Sequence, residues 1–168
     1  PDALDDFKAA ARLGQTAGDW ARVAVIWRLT GSLYASLGNE AAGAALLMRS
    51  ILESLRRDRP SEALSMTALN DIVRPWAPDF ADALDALGAA IRDYESDPES
   101  PEARQRLRAV EHTLSELSAA RERELSARGI DIMDPATWPP VSTPLDADPQ
   151  PPAASPEDVT PAPSDSPT

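Results

Sequence analysis

The chain changes physical character once, near Gly129, and that break limits what it can fold into. Residues 1–128 carry all 16 Lys and Arg residues together with 21 acids; after Arg128 no base occurs, while seven acids and eleven prolines do. The first part has the composition of a packed body and the second that of a solvated, acidic, extended arm, because a Pro-rich, charged segment cannot bury enough apolar surface to offset its conformational entropy. About 128 residues suffice for one core without disulfides or metal. The apolar residues of the body are mostly Ala and Leu, and aromatic residues make up only 5% of the chain. That bias favours helix over sheet, since strands select β-branched and aromatic side chains.

Periodicity divides the body into helices. Asp2 precedes a first helix with Leu4, Phe7 and Ala11 on one face, ending near Gly14–Gly18. Asp19 is placed to cap a second, over about 19–37, where Trp20, Val23, Trp27 and Tyr34 form one stripe and Val25, Ile26, Leu29, Leu33 and Leu37 fill much of the rest. A helix apolar most of the way round reads as the central one, covered on several sides. A third, about 40–57, starts Ala-rich and carries Leu47, Met48, Ile51, Leu52 and Leu55 inward, with Arg49, Arg56, Arg57 and Arg59 as a basic surface. Ser61 opens a fourth, to Val73, with Leu64, Ala68, Leu69, Ile72 and Val73 inward. A fifth spans about 79–95 with Phe80, Ala83, Leu84, Leu87, Ile91 and Tyr94 inward, and a sixth spans 101–128, with Ser100 as cap and Pro101 as first helical residue. Gly129 should end it in a left-handed turn that lets Ile130 pack on Leu125. The expectation is therefore an all-α antiparallel bundle of five or six helices over residues 1–133, followed by a disordered acidic Pro-rich tail over 134–168. Ile132, Met133 and Trp138 are the residues that would tie the start of the tail to the body.

The hairpin residues carry a family resemblance. Trp27, Gly31 and Tyr34, followed by Gly38-Asn39, resemble the tetratricopeptide-repeat pattern of a Trp, a Gly four residues on, a Tyr three further, and a Gly-Asn turn into a second helix. Thr30 stands where that family has Leu, Gly43 where it has Ala, and Leu55 where it has Pro. The resemblance covers residues 20–57. It implies an antiparallel helical hairpin and, by analogy, binding of a peptide or protein.

Chemistry-bearing motifs are scarce. The single histidine, His112, has no nucleophile placed with it in sequence, and Asp79, Asp82 and Asp85 recur at the three-residue spacing of a solvated face. Neither a P-loop nor a G-x-G-x-x-G occurs, and Lys8 is the only lysine. A net charge of −12 repels phosphate backbones. The absence of cysteine excludes disulfides and thiolate metal sites and suits a reducing cytoplasm. No apolar run reaches membrane-spanning length and the first residues lack the pattern of a signal peptide. Ala-, Arg- and Pro-rich, Lys-poor usage fits a high-GC bacterium or its phage.

The reading is a non-enzymatic, cofactor-free protein-interaction module: an adaptor, scaffold or accessory subunit. Ala103, Leu107, Val110, Leu114, Leu117 and Arg121 make a narrow heptad seam suited to pairing with another helix, either inside the domain or in a second copy. Trp76 and Trp138, beside prolines, are the candidate contact aromatics, and Arg49, Arg56 and Arg57 the candidate receivers of an acidic partner or of this chain's own tail. The alternative is a nucleic-acid-processing accessory, such as a phage packaging or regulatory subunit, using those same arginines; a carboxylate-metal enzyme is a third.

Overall fold

The computed structural model describes residues 3–141, and among these the fold is all-α. The elements are α1 (Ala3–Ala17), α2 (Trp20–Ser36), α3 (Glu40–Arg56), α4 (Pro60–Met66), a 3₁₀ turn (Thr67–Leu69), α5 (Asn70–Val73), α6 (Pro78–Ser96), α7 (Pro101–Ser126) and a second 3₁₀ turn (Pro135–Thr137). The expected cap at Asp2 and the expected tail beyond Val141 lie outside the described residues.

Neighbouring helices alternate in direction. Ser50 Oγ donates to the Ala24 carbonyl at 2.7 Å while Gly43 meets Gly31 further along, so α2 and α3 are antiparallel. Arg106 pairs with Asp93 and Arg121 with Asp79, which sets α7 antiparallel to α6. Signals read from the sequence act where expected at several helix ends. The Asp19 carboxylate accepts from Arg22 N–H at 3.1 Å, and Ser100 Oγ accepts from Ala103 N–H at 3.2 Å with Pro101 opening α7. Gly129 takes φ 77°, a value that costs Gly little, and Ile130 N–H then closes onto the Leu125 carbonyl at 3.0 Å. Glu99 and Asp93 answer the arginines that oppose the dipole at the start of α7, pairing with Arg104 and Arg106.

The core has two halves that share α3. One is built from Met48 and Ile51 of α3, Met66, Phe80, Leu84, Leu87, Ile91 and Leu114. The other joins Leu4, Val23, Trp27, Tyr34 and Leu46 to Leu125, Ile130, Ile132 and Trp138. The central helix is thus α3 and not α2 as its hydrophobicity predicts. The reason is side-chain size: Ala42, Gly43, Ala44, Ala45, Ser50 and Ser54, all buried, let neighbours approach α3 on several sides. A Cβ added at Gly43 would stand 3.0 Å from both Ala35 N and the Gly31 carbonyl oxygen, which are backbone atoms and cannot rotate away. Gly43→Ala is therefore expected to cost about 1–3 kcal/mol, as overpacking does, measured by denaturant unfolding.

Two boundaries differ from the sequence reading. The fourth helix begins at Pro60, one residue before the Ser61 expected to open it, and the segment 60–73 is broken by the 3₁₀ turn. Its tighter winding turns Ala68 outward and shifts the phase of the residues that follow, so Ile72 too faces solvent instead of the core. The packed body also runs past residue 133. Asp134 caps the second 3₁₀ turn, Pro135 is buried, and Trp138 is 2% exposed with its indole N–H donating to the Ile132 carbonyl at 3.1 Å. The Tyr34 hydroxyl donates to the Pro139 carbonyl at 2.6 Å, and Gln15 Nε2 to the Met133 carbonyl at 2.9 Å. Residues 130–141 thus form a strap across α1, α2 and the end of α7; the composition shift at Gly129 precedes the end of packing because a few large apolar side chains suffice to hold a segment without regular structure.

Candidate functional site: the outer face of α2

In α2, Val23, Ile26, Trp27, Thr30 and Tyr34 point inward. The opposite face carries Val25, Leu29 and Leu33, with Leu37 just past the helix end. These are i, i+4 neighbours and form one oblique ridge. Val25 is 44% exposed, Leu29 45% and Leu37 46%, and Leu33 is partly exposed. Single exposed aliphatic residues need no explanation, as at Leu13 on α1 or Ile72; an ordered row of them does. The helix contains no acid, only Arg22 and Arg28. Arg22 lies 3.5 Å from Asp19, whereas half-buried Arg28 makes no ion pair among the described residues. Beside the ridge a groove of about 220 Å³ runs between α2, α3 and α4, lined by Ala24, Val25, Arg28, Ser54, Glu62 and Met66. Glu62 is engaged by Arg57 at 2.9 Å and Ser54 Oγ by the Ser50 carbonyl at 3.0 Å, which leaves Arg28 as the groove's uncommitted charge among the described residues. Chemically the face offers aliphatic contact with one available cation at its edge.

The residues singled out from sequence lie elsewhere, and not together. Leu114 is fully buried, and Leu107, Val110 and Leu117 pack partly buried against the same core, so the heptad seam of α7 is filled from within by α3 and α6. Trp138 is buried in the strap. As surface contacts Leu114 and Trp138 are therefore corrected: the apolar area that made them attractive is spent on the fold. Trp76 is partly buried against the core, beside a small cleft of about 140 Å³ formed with Glu40, Ala41, Arg121 and Glu124.

The arginines do not make a basic patch. Arg49 forms a two-pronged contact with Glu122, its Nη2 donating at 2.7 Å and its Nε to the other carboxylate oxygen. That hydrogen bond raises the Arg49 pKa further above its ordinary value, against the opposing effect of burial. Arg56 donates twice to Glu53, at 2.7 and 3.0 Å, which raises its pKa in the same way. Arg57 lies 3.7 Å from Glu53 and 2.9 Å from Glu62. A second groove, about 250 Å³, lies over Arg49, Arg56 and Glu53 with Trp20, Trp27 and Met133 at its sides. The two indoles are 6.3 Å apart at 45°. Its charges are already matched to each other, so an incoming anion would compete with carboxylates in place.

Sequence reasoning assigned Val25, Leu29, Leu33 and Leu37 to the core and so missed the ridge. The signal was present in their four-residue spacing and in a helix with two arginines and no acid. The chain matches no known family model, and comparisons with curated proteins and with solved structures find no match either. No helix among the described residues is long and apolar enough to cross a membrane.

Proposed function

We propose that this chain is a non-enzymatic protein-interaction module, an adaptor or accessory subunit, that docks an apolar segment of a partner on the outer face of α2. The observation that carries the reading is the uncovered ridge Val25–Leu29–Leu33–Leu37 with Arg28 available at its border. The likeness of residues 20–57 to a tetratricopeptide-repeat hairpin leans the same way. A cytoplasmic setting accords with the lack of cysteine.

Magnitudes define the kind of contact. Three half-exposed aliphatic side chains leave on the order of 200 Å² of apolar surface, about 5 kcal/mol gross at about 25 cal/mol per Å². Ordering and translational costs oppose that, so the ridge alone supports an affinity no better than roughly 1 mM. A stable homodimer buries about 800 Å² per partner, four times what the ridge offers, and would set the arginines of α2 against their own copies with no acid on that helix to pair them. Self-association through residues 101–128 is disfavoured as well, since the seam of α7 is occupied internally. A partner that binds firmly would fill the groove beside Arg28 as well as cover the ridge, and would carry an acid there. Duplex nucleic acid is a poor match, because Arg49, Arg56 and Arg57 are each held by carboxylates.

Leu29→Asp is the test. At a half-exposed position it is expected to change folding stability by less than about 0.5 kcal/mol while abolishing capture of a protein partner from source cells; Ile72→Asp, more exposed than Leu29 but off the ridge, should leave capture intact. Retention of the same partner by Leu29→Asp would sink the reading.

A further inference from the structure

The groove over Arg49, Arg56 and Glu53 is a surface separate from the ridge. At about 100° per helical residue, Trp20 and Trp27 stand on the side of α2 turned away from Leu29 and Val25. Trp20, Trp27, Leu52 and Met133 make its walls apolar. Arg56 is exposed and Met133 is 39% exposed, so the groove opens to solvent.

Its polar groups are one-sided. The acceptors are occupied: Glu53 takes both Arg56 bonds, one on each carboxylate oxygen, and is 8% exposed, while Glu122 takes both Arg49 bonds and that of Ser118 Oγ at 3.2 Å. Donors remain. The Trp27 indole N–H is buried and meets no acceptor among the described residues, and no acceptor is found there for the Trp20 indole either. Arg49 and Arg56 each commit Nε and Nη2 to a carboxylate and leave Nη1 over. A donor without an acceptor is costly where water cannot reach it.

We infer that this groove binds an extended, proline-rich segment of another protein, prolyl rings packing on Trp20 and Trp27 and main-chain carbonyls accepting from the donors that the walls leave over. Charge and hydrogen bonding choose the occupant together. An anion competes with carboxylates already in place, and a cation meets Arg49 and Arg56, so the fitting ligand is neutral. A segment of ordinary residues brings a backbone N–H at every position, and the groove has no accessible acceptor to receive it. Proline brings a carbonyl, a flat apolar ring and no N–H. A polyproline II segment is also extended before it binds, so little ordering cost is added. It advances about 3.1 Å per residue, so two prolines one residue apart are separated by nearly the 6.3 Å between the indole centroids. With so few contacts the affinity is on the order of 1 mM.

The chain has four tryptophans, and their indole N–H resonances read the site directly. The probe is octaproline with both ends capped. It is titrated to about 10 mM, ten times the expected dissociation constant, into the full-length chain with Pro144, Pro149, Pro151 and Pro152 changed to Ser, so that these do not compete. The Trp20 and Trp27 resonances are expected to move and saturate, and those of Trp76 and Trp138 to stay in place. Trp20→Leu, at a half-buried position, should weaken binding at least about three-fold, read at Trp27, with the helical signal unchanged. Still resonances at Trp20 and Trp27 would overturn the inference, and so would equal movement at all four. Equal binding of a capped Gly-Ser octamer, or of one with a central Phe, would remove proline as the recognised feature and overturn it too. Movement with protein concentration alone would assign the groove to a second copy, with the same consequence. None of these outcomes touches the reading of the ridge, which Leu29→Asp tests by itself.

Discussion

A chain carrying Val110→Asp and Leu114→Asp is expected to be unfolded at room temperature, with its helical signal lost and not merely its association state changed. Leu114 has no exposed surface and sits among Met48, Ile51, Phe80, Leu84, Leu87 and Ile91, where α3, α6 and α7 meet. Truncation alone, as Leu114→Ala, should cost about 2–5 kcal/mol. A carboxylate there has no cation to meet and adds several kcal/mol of desolvation, against a total stability of about 5–15 kcal/mol for an ordinary domain. Val110 stands one turn away, half-buried against the same core, so the two changes share neighbours and their costs need not add. Circular dichroism and size-exclusion chromatography of the double variant check this. A folded species of lower mass would mean that the α7 seam faces another molecule, and the packing of the core as described would be wrong.

Trp138→Ala should be nearly as severe, at about 3–5 kcal/mol, and its effect should be local as well as global. The indole is 2% exposed, packs with the half of the core built on Leu4, Tyr34, Leu125 and Ile132, and donates to the Ile132 carbonyl. Removing it takes away the largest side chain that holds the strap 130–141 to α1 and α2. Amide exchange should rise first in residues 130–141 and in α1, which packs on the strap's 3₁₀ turn, before it rises in α6. Uniform exchange through all helices would instead mark the domain as one cooperative unit in which the strap has no separate stability.

Much of the local structure was legible in the residues. Asp19 and Ser100 cap the helices they precede, Pro101 opens α7, and Gly129 closes it, because capping and φ > 0 depend on a few neighbouring atoms. The stripe Phe80–Leu84–Leu87–Ile91 faces the core as its spacing predicts. The fourth helical segment was less legible: nothing in Ser-Met-Thr-Ala-Leu-Asn announces a 3₁₀ turn, and the change of phase exposed Ile72 and Ala68. The end of the body was also misplaced, since proline content registers the loss of helix but not the burial of Pro135 and Trp138.

The site shows where the limit falls. An apolar side chain in sequence states only that it would gain by burial, not whether another element will arrive to bury it. Leu29 on α2 and Leu114 on α7 carry the same hydrophobic driving force, yet one is 45% exposed and the other 0%. What separates them is supply: small residues along α3 draw α2, α4 and α7 against it, α1 and the strap take the inner side of α2, and no described element remains for its outer side. The arginines of α3 obey the same logic. Their positive charge is written in the sequence, but Glu122 reaches Arg49 from 73 residues away only because α7 lies alongside α3. The sequence by itself determined that the body is helical, where most helices begin and end, and which faces are apolar, since those depend on neighbours within a turn or two. Only the tertiary structure decided which apolar face stays uncovered and which charges stay available, because each of those is settled by competition among all elements for a limited number of partners.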